Sequence, residues 1–171
     1  MISERLFDFK AIGKLEPKQA KKAIIAPVKK YKVSYEEDAI IEVIDQTEGY
    51  PFFLQVWGSN AWDLATGPTI TLKDIKKATK QAYIDLDSGF YKVRYDRLTI
   101  RQQQYVVAIE KTPSLPAKSG EIAKILNMSV KKAAPIRDEL IKKGMVYSPG
   151  FGLTTFTVPK FDAFLQRTVI K

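Results

Sequence analysis

The sequence predicts a mainly α fold, in which a small bundle of short helices precedes three further helices and a β-hairpin. Apolar residues recur at helical spacing through most of the chain, and glycine, proline or capping residues separate the helical stretches. Strand-like stretches occur only near the two ends. With 171 residues the chain can hold one ordinary domain or two small ones. The change of pattern near residue 97 favours two small domains.

The chain begins with a strand-like stretch and two helical ones. Residues 5–12 alternate charged and apolar side chains in their first half, as a half-buried strand does. A first helix is predicted from Pro17 to about Ile25, with Pro27 just past its end. The Ser-x-x-Glu pattern at 34–37 predicts the capping box of a second helix, which ends at Gly49.

Two more helices complete the first bundle. Pro51 can open the third helix, which Gly67-Pro68 stops, and the cap at 71–74 begins the fourth. Their apolar faces consist of Phe53, Leu54, Trp57, Ala61, Leu64 and Ala65 in the third helix and of Ile75, Ala78, Ala82 and Leu86 in the fourth. One apolar face on each of four helices predicts a small helical bundle.

Beyond a polar hinge at 93–97 the pattern changes to three capped helices and two strands. The capping residues are Thr99, Ser119 and Ser129, and the strands are expected at 145–147 and 153–158. Three helices followed by a hairpin are typical of a winged helix-turn-helix domain. We therefore assign a helical bundle to residues 16–92 and a winged helix with a short β-hairpin wing to residues 98–171.

Composition excludes several classes of activity. The chain has no Cys and no His, which rules out the usual zinc sites, thiol nucleophiles and Ser-His-Asp triads, and we expect no catalytic or metal-binding residues. No apolar run approaches the roughly 18 residues that span a membrane, and the first residues lack the build of a signal peptide. We therefore expect a cytoplasmic protein without membrane partners.

Four motifs together resemble a known family. They are Gly49-Tyr50-Pro51-Phe52-Phe53-Leu54-Gln55, Ala61-Trp62-Asp63, the stretch from Ile136 to Gly144, and Phe156-Thr157-Val158-Pro159. In this order they resemble the C-terminal portion of AAA-type ATPases of the STAND and archaeal-initiator type. The resemblance implies that residues 1–15 are a remnant of the ATPase core strand with its linker, that 16–92 form the helical lid, and that 98–171 form the appended winged helix.

The resemblance also implies a nucleotide role for the turn before the third helix. In that family the Gly-x-Pro turn lies over the adenine, which here assigns Gly49, Tyr50 and Pro51 to the base. A glycine admits close backbone approach, and proline offers an apolar face without an N–H. The alternative is an ordinary helix start, with the neighbouring aromatic residues forming core.

The phosphate-binding loop of such an ATPase is missing. Gly13-Lys14 is the chain's Gly-Lys pair, and it lacks both the following hydroxyl residue and the earlier glycine of a P-loop. Residues 33–72 contain no Lys or Arg, so we expect no cationic group beside the adenine turn. The chain alone is therefore predicted to be non-catalytic and to hold no cofactor, while ATP and Mg²⁺ are implied for a complete family member. Its expected partner is a P-loop core, in the same parent chain or in another protein.

Residues 98–171 carry 12 basic and 5 acidic side chains, which makes them the candidate for a polyanionic partner. The helix opened near Ser129 could track double-stranded DNA, and the candidate contact residues are Lys131, Lys132, Arg137, Lys142 and Lys143. Pro135 leaves open whether the regular helix begins only at Ala134. An autonomous DNA-binding protein and a protein-interaction domain both remain alternatives to the regulatory ATPase fragment.

Overall fold

The chain divides into two units at its fourth helix, between Ala82 and Tyr83. The structure is a computed structural model that describes residues 13–170, so the strand expected at 5–12 lies outside the described residues. We refer to residues 13–82 as the N-terminal unit and to residues 83–170 as the C-terminal unit. Both units are mainly helical and β-structure is limited to short pairings, which confirms the predicted fold class.

The N-terminal unit consists of helices joined by short connections. Its elements are α1 (Pro17–Lys29), β1 (Ser34–Tyr35), α2 (Glu37–Thr47), α3 (Pro51–Leu64), β2 (Thr69–Ile70) and the first part of α4 (Leu72–Leu86). The two strands form a two-residue parallel pairing, with Ser34 opposite Thr69 and Tyr35 opposite Ile70. Helices α1, α2 and α3 pack against one another around the core.

Helix α1 is longer than the sequence predicts. It continues through Pro27 to Lys29, whereas we expected it to end near Ile25. Proline removes one backbone hydrogen bond in this last turn. Val28 is buried directly after the proline, so the apolar stripe of α1 extends past the lost hydrogen bond. Tertiary packing therefore outweighs the helix-breaking tendency of Pro27.

The predicted Ser34 capping box is wrong. Ser34 lies in β1, where its N–H donates to the carbonyl of Pro68 (2.9 Å) and its hydroxyl lies 3.1 Å from that of Thr69. Helix α2 instead begins after Glu36, whose carboxylate accepts from the backbone N–H of Leu72 (2.8 Å). Pairing with a distant strand thus keeps Ser34 extended and moves the helix start.

Most of the predicted apolar face of α3 lies in the N-terminal core, but Leu64 is 38% exposed and Ala65 lies past the end of the helix. Pro51 is the first residue of the helix, as predicted. Phe53, Trp57 and Ala61 are fully buried, and the indole Nε1 of Trp57 donates to the hydroxyl of Thr79 (3.0 Å). This hydrogen bond satisfies the one polar atom of a large buried ring.

The C-terminal unit contains the last part of α4, a π-helical turn and the elements of the expected helix-and-hairpin order. They are the π-helical turn Asp87–Tyr91, α5 (Lys92–Asp96), α6 (Ile100–Glu110), β3 (Ala117–Lys118), α7 (Ser119–Ile125), α8 (Val130–Lys142), β4 (Val146–Tyr147), β5 (Leu153–Phe156) and α9 (Phe161–Thr168). Strands β4 and β5 form the predicted hairpin, and β3 adds a third strand to it in the order β3-β5-β4. The hinge expected at 93–97 lies largely on α5, inside this unit.

Side-chain caps fix the starts of α6 and α8 in this unit. The hydroxyl of Thr99 accepts from the backbone N–H of Gln102, and the Gln102 amide accepts from the Thr99 N–H, which completes a capping box for α6. Ser129 caps α8 through its hydroxyl, as predicted. Ser119 is the first residue of α7 rather than its cap, because its N–H and hydroxyl both donate to the carbonyl of Gly152 in the hairpin.

An aromatic cluster holds α9 against the π-helical turn. The ring of Tyr91 stacks on Phe164, with 5.2 Å between ring centroids, and its hydroxyl donates to the carbonyl of Pro159 (2.9 Å). Burial raises the pKa of Tyr91, which keeps this hydroxyl protonated as a donor. Arg167 of α9 forms a bidentate ion pair with Asp87, the shorter contact being 2.7 Å. Helix α9 was not predicted, although its apolar residues follow helical spacing after Pro159.

Among the described residues, 13–170, no helix is both long and apolar enough to cross a membrane.

We expect Trp57→Ala to lower the free energy of unfolding by about 3–5 kcal/mol, because it removes a fully buried ring and leaves a cavity. Urea denaturation followed by circular dichroism measures the loss. Trp62→Ala is the matched control: its ring is 42% exposed, and the loss should stay near 1 kcal/mol or below. Equal losses for the two variants would contradict the assignment of Trp57 to the core.

Candidate functional site

The turn between α2 and α3 is built around Gly49. Glu48 ends α2 in the left-handed conformation (φ 49°), and Gly49 follows with φ 71°. The buried hydroxyl of Thr47 accepts from the N–H of Gly49 (3.3 Å) and donates to the carbonyl of Val43 (2.7 Å). Two successive left-handed residues reverse the chain, and Pro51 then starts α3 with its φ already fixed.

The chain itself occupies the space that the glycine leaves open. The N–H of Leu15 donates to the carbonyl of Gly49 (2.8 Å), and a Cβ at position 49 would lie 2.4 Å from the carbonyl oxygen of Leu15. This crossing of residues 13–16 explains the absence of a side chain at position 49 without a ligand. Tyr50 and Pro51 are half-buried, so part of each remains accessible beside the turn.

The same crossing brings a cation to the turn, which corrects the expectation that none lies there. Lys14 forms a salt bridge with Glu48, the residue before Gly49. Sequence reasoning missed this lysine because it lies 34 residues away in the chain. Both side chains are partly exposed, so the pair is a weak surface interaction that leaves the lysine able to exchange partners.

The basic candidates on α8 fall into two groups. Helix α8 runs regularly from Val130 through Pro135, so the later start at Ala134 that the proline left open does not occur. Lys131, Lys132 and Lys142 are exposed, and within residues 13–170 none of the three forms a salt bridge. These three lysines, which we call the free lysines, are available to an anionic partner.

The other two basic candidates make contacts within the C-terminal unit. The ammonium of Lys143 donates to the side chain of Gln102 (2.7 Å) and to the carbonyl of Arg97 (3.3 Å). The amide of Gln102 in turn donates to Glu139 (2.8 Å), which ties α8 to α6. Arg137 is half-buried and its guanidinium lies 3.4 Å from the carboxylate of Asp138. Lys143 therefore supports the fold, and Arg137 faces a carboxylate.

A groove lies between α8 and the hairpin, with a volume of about 680 Å³. Its apolar lining includes Val130, Ala134, Phe151 and Leu153, and Arg137 and Lys118 each contribute a cation. Phe151 at the hairpin tip is fully exposed, and Val130 is also exposed. We call this surface the α8–hairpin groove. Exposed apolar side chains at a concave surface are typical of protein-docking sites.

The described residues offer no cluster of acidic side chains that could hold a metal ion. The predicted adenine-facing residues are adjacent in the N-terminal unit, and the predicted DNA-contact residues lie along one helix of the C-terminal unit.

Comparison with known protein families matches residues 88–165 to a domain of unknown function, DUF8462. The match lies inside the C-terminal unit and covers most of it, including α8 and the hairpin. A comparison with curated proteins finds no match. The family likeness thus concerns the C-terminal unit, and it transfers no activity to the chain.

We expect Gly49→Ala to destabilise the N-terminal unit by about 3 kcal/mol, since it adds left-handed strain to a clash with the Leu15 carbonyl. Gly144→Ala is the matched control, because Gly144 has φ 67° but no heavy atom of the described chain within 4 Å of an added Cβ. It should cost about 1–2 kcal/mol from backbone strain alone. Chemical denaturation measures both, and equal costs would show that Leu15 does not lie against the turn.

Proposed function

We propose that the chain is the lid and winged-helix portion of an AAA-type ATPase and acts as a non-catalytic regulatory module in the cytoplasm. The observation that carries the proposal is the turn at 48–51, where two left-handed residues and a helix-opening proline present Tyr50 and Pro51 at the surface. This geometry suits the flat base of a nucleotide whose phosphates are held by a P-loop core. The order of helices and hairpin in the C-terminal unit agrees with an appended winged helix.

The position of the linker supports the same proposal. Residues 13–16, which by resemblance connect to the ATPase core, cross directly over Gly49. A movement of the core relative to the lid would therefore act first on the turn that faces the base. Reading the genomic DNA upstream of the Met1 codon for an in-frame P-loop tests this parentage, and a neighbouring P-loop gene would point to a separate partner.

For the C-terminal unit we favour a protein partner, because the α8–hairpin groove exposes Phe151 and Val130. The rim of a DNA-reading wing instead carries phosphate-binding side chains. Double-stranded DNA is the second candidate, and the free lysines are the observation that favours it.

We expect the isolated chain to bind adenosine and Mg·ATP with dissociation constants above about 1 mM and with affinities within about fivefold of each other. The reason is that the carboxylate of Glu48 lies beside Lys14 and offsets its charge, so the turn attracts phosphates only weakly. Titrations monitored by amide chemical shifts measure both affinities and locate the contact. Shifts centred on Tyr50 support the lid assignment.

Two results would contradict this prediction. The first is submillimolar Mg·ATP binding with turnover that persists in a highly purified sample. The second is a titration in which adenosine leaves the amides of the 48–51 turn unshifted. Pro51→Ala is the comparison variant in these titrations, because it reduces the apolar area that contacts the base and should weaken the binding of adenosine.

If the free lysines bind DNA, three neutralised phosphates predict that affinity falls about 40-fold between 50 and 200 mM salt, from a slope of about −0.9 per phosphate. Replacing Lys131, Lys132 and Lys142 by Gln should abolish this salt dependence and leave the fold intact, since all three side chains are exposed. Duplex DNA binding measured by fluorescence anisotropy tests this.

The control makes the same change of charge away from α8 in the C-terminal unit, with Lys92, Lys111 and Lys124 replaced by Gln. All three of these lysines are also exposed. Absence of DNA binding at 50 mM salt, or equal loss in the two triple variants, excludes α8 as a DNA-binding helix and leaves the protein partner.

A further inference from the structure

A second groove, of about 340 Å³, lies between α1 and α3 within the N-terminal unit. We call it the α1–α3 groove. Its lining is mainly apolar and includes Pro27, Tyr31, Tyr35, Leu54, Gly58 and Trp62. The volume falls within the usual range of small-molecule sites, about 300–1,000 Å³. Neither Gly49, Tyr50 nor Pro51 is among its lining residues, so its role is separate from the proposed adenine turn.

Gly58 lies in the interior of α3, and no contact in the fold requires a glycine at this position. A glycine at such a position is less stable than alanine, because it loses more backbone freedom on folding. A Cβ added at Gly58 would meet no heavy atom within 4 Å apart from its chain neighbours and the local backbone of α3, so close packing does not require the glycine. The space that the absent side chain leaves belongs to the α1–α3 groove.

Tyr35, which lines the same groove, carries an unsatisfied hydroxyl group. Its hydroxyl is shielded from solvent and has no hydrogen-bond partner within residues 13–170. Burial raises the pKa of Tyr35 to about 12, so the hydroxyl stays protonated at neutral pH and can donate. A buried hydroxyl without a partner destabilises a fold, and a bound acceptor would remove that cost.

Two aromatic rings form the rim. The centroids of Tyr31 and Trp62 are 5.2 Å apart, and the side chains are 58% and 42% exposed. The ammonium of Lys30 lies 4.8 Å from the centroid of the Tyr31 ring. Exposed ring faces at the mouth of an apolar groove favour a flat, aromatic ligand, which stacks at little entropic cost.

We propose that the α1–α3 groove binds a small planar, mainly apolar molecule that carries a hydrogen-bond acceptor, with Gly58 leaving room for its ring and Tyr35 donating to its acceptor. The proposal does not depend on the nucleotide role of the 48–51 turn, because the groove contains none of the residues assigned to the base, although Leu54 and Trp62 also belong to motifs of the resemblance.

Quinoline is a suitable probe, since it is planar and uncharged at neutral pH and carries one acceptor nitrogen. We expect quinoline to shift the amides around Gly58 and Tyr35 in titrations of the full chain. Gly58→Leu should weaken binding more than tenfold by filling the groove. Tyr35→Phe should weaken it about three- to tenfold, the contribution of one hydrogen bond.

Stability measurements separate a ligand site from a structural role. Gly58→Ala should raise the melting temperature while weakening quinoline binding, because its methyl group enters empty space and helix propensity improves. Tyr35→Phe should melt no lower than the parent, since it removes an unpaired hydroxyl. Phe151→Ala, in the C-terminal unit, is the control for nonspecific binding to exposed apolar surface and should leave quinoline binding unchanged.

Three outcomes would overturn the proposal. The first is that quinoline leaves the groove amides unshifted at about 10 mM, a concentration far above what a specific weak site requires. Binding could survive Gly58→Leu, or Gly58→Ala if the larger variant does not fold. Tyr35→Phe could bind as tightly as the parent, which would remove the hydroxyl from the site.

Discussion

The close backbone contact at Gly49 is the constraint on which the N-terminal unit depends. A side chain at this position would meet the carbonyl of Leu15, so the chain reversal and the crossing of residues 13–16 are possible together only with glycine. The reversal sets the direction of α3, and α3 carries both the buried ring of Trp57 and the groove-lining Gly58. Core, candidate adenine turn and α1–α3 groove therefore all rely on one glycine.

In the C-terminal unit, polar contacts hold the end of α8 against α6. Lys143, Gln102 and Glu139 form a chain of hydrogen bonds between α8 and α6, and the sheet holds the hairpin beside them. Ala133 and Leu140 form the buried face of α8, and Lys131 and Lys142 are exposed to solvent. The network is partly buried, so its hydrogen bonds contribute more than exposed ones do. Lys143 is held by hydrogen bonds within the unit, so the basic surface that α8 offers to a partner consists of Lys131, Lys132 and Lys142.

Local signals in the sequence predicted most helices, because a cap or a proline acts on neighbouring residues: Pro51 and Thr99 both begin helices where the pattern places them. Errors arose where distant residues intervene. Ser34 has the chemistry of a cap, but its partner is Thr69, 35 positions away. Lys14 reaches the turn of Glu48 across a similar separation. The periodicity of a single sequence does not reveal such long-range pairings. The candidate residues could therefore be assigned to helices and turns, but the residues that contact them could not be predicted.

Net charge alone therefore does not identify the partner of the C-terminal unit. An excess of basic residues counts every lysine equally, whereas the fold engages Lys143 and places Arg137 against Asp138. On α8, three free lysines remain, and the neighbouring groove exposes Phe151. Phosphate binding depends on the number of cations that reach the backbone together, while docking of a protein depends on apolar area removed from water. The small number of free cations on α8 and the exposed ring of Phe151 are the reasons for which we propose a protein partner.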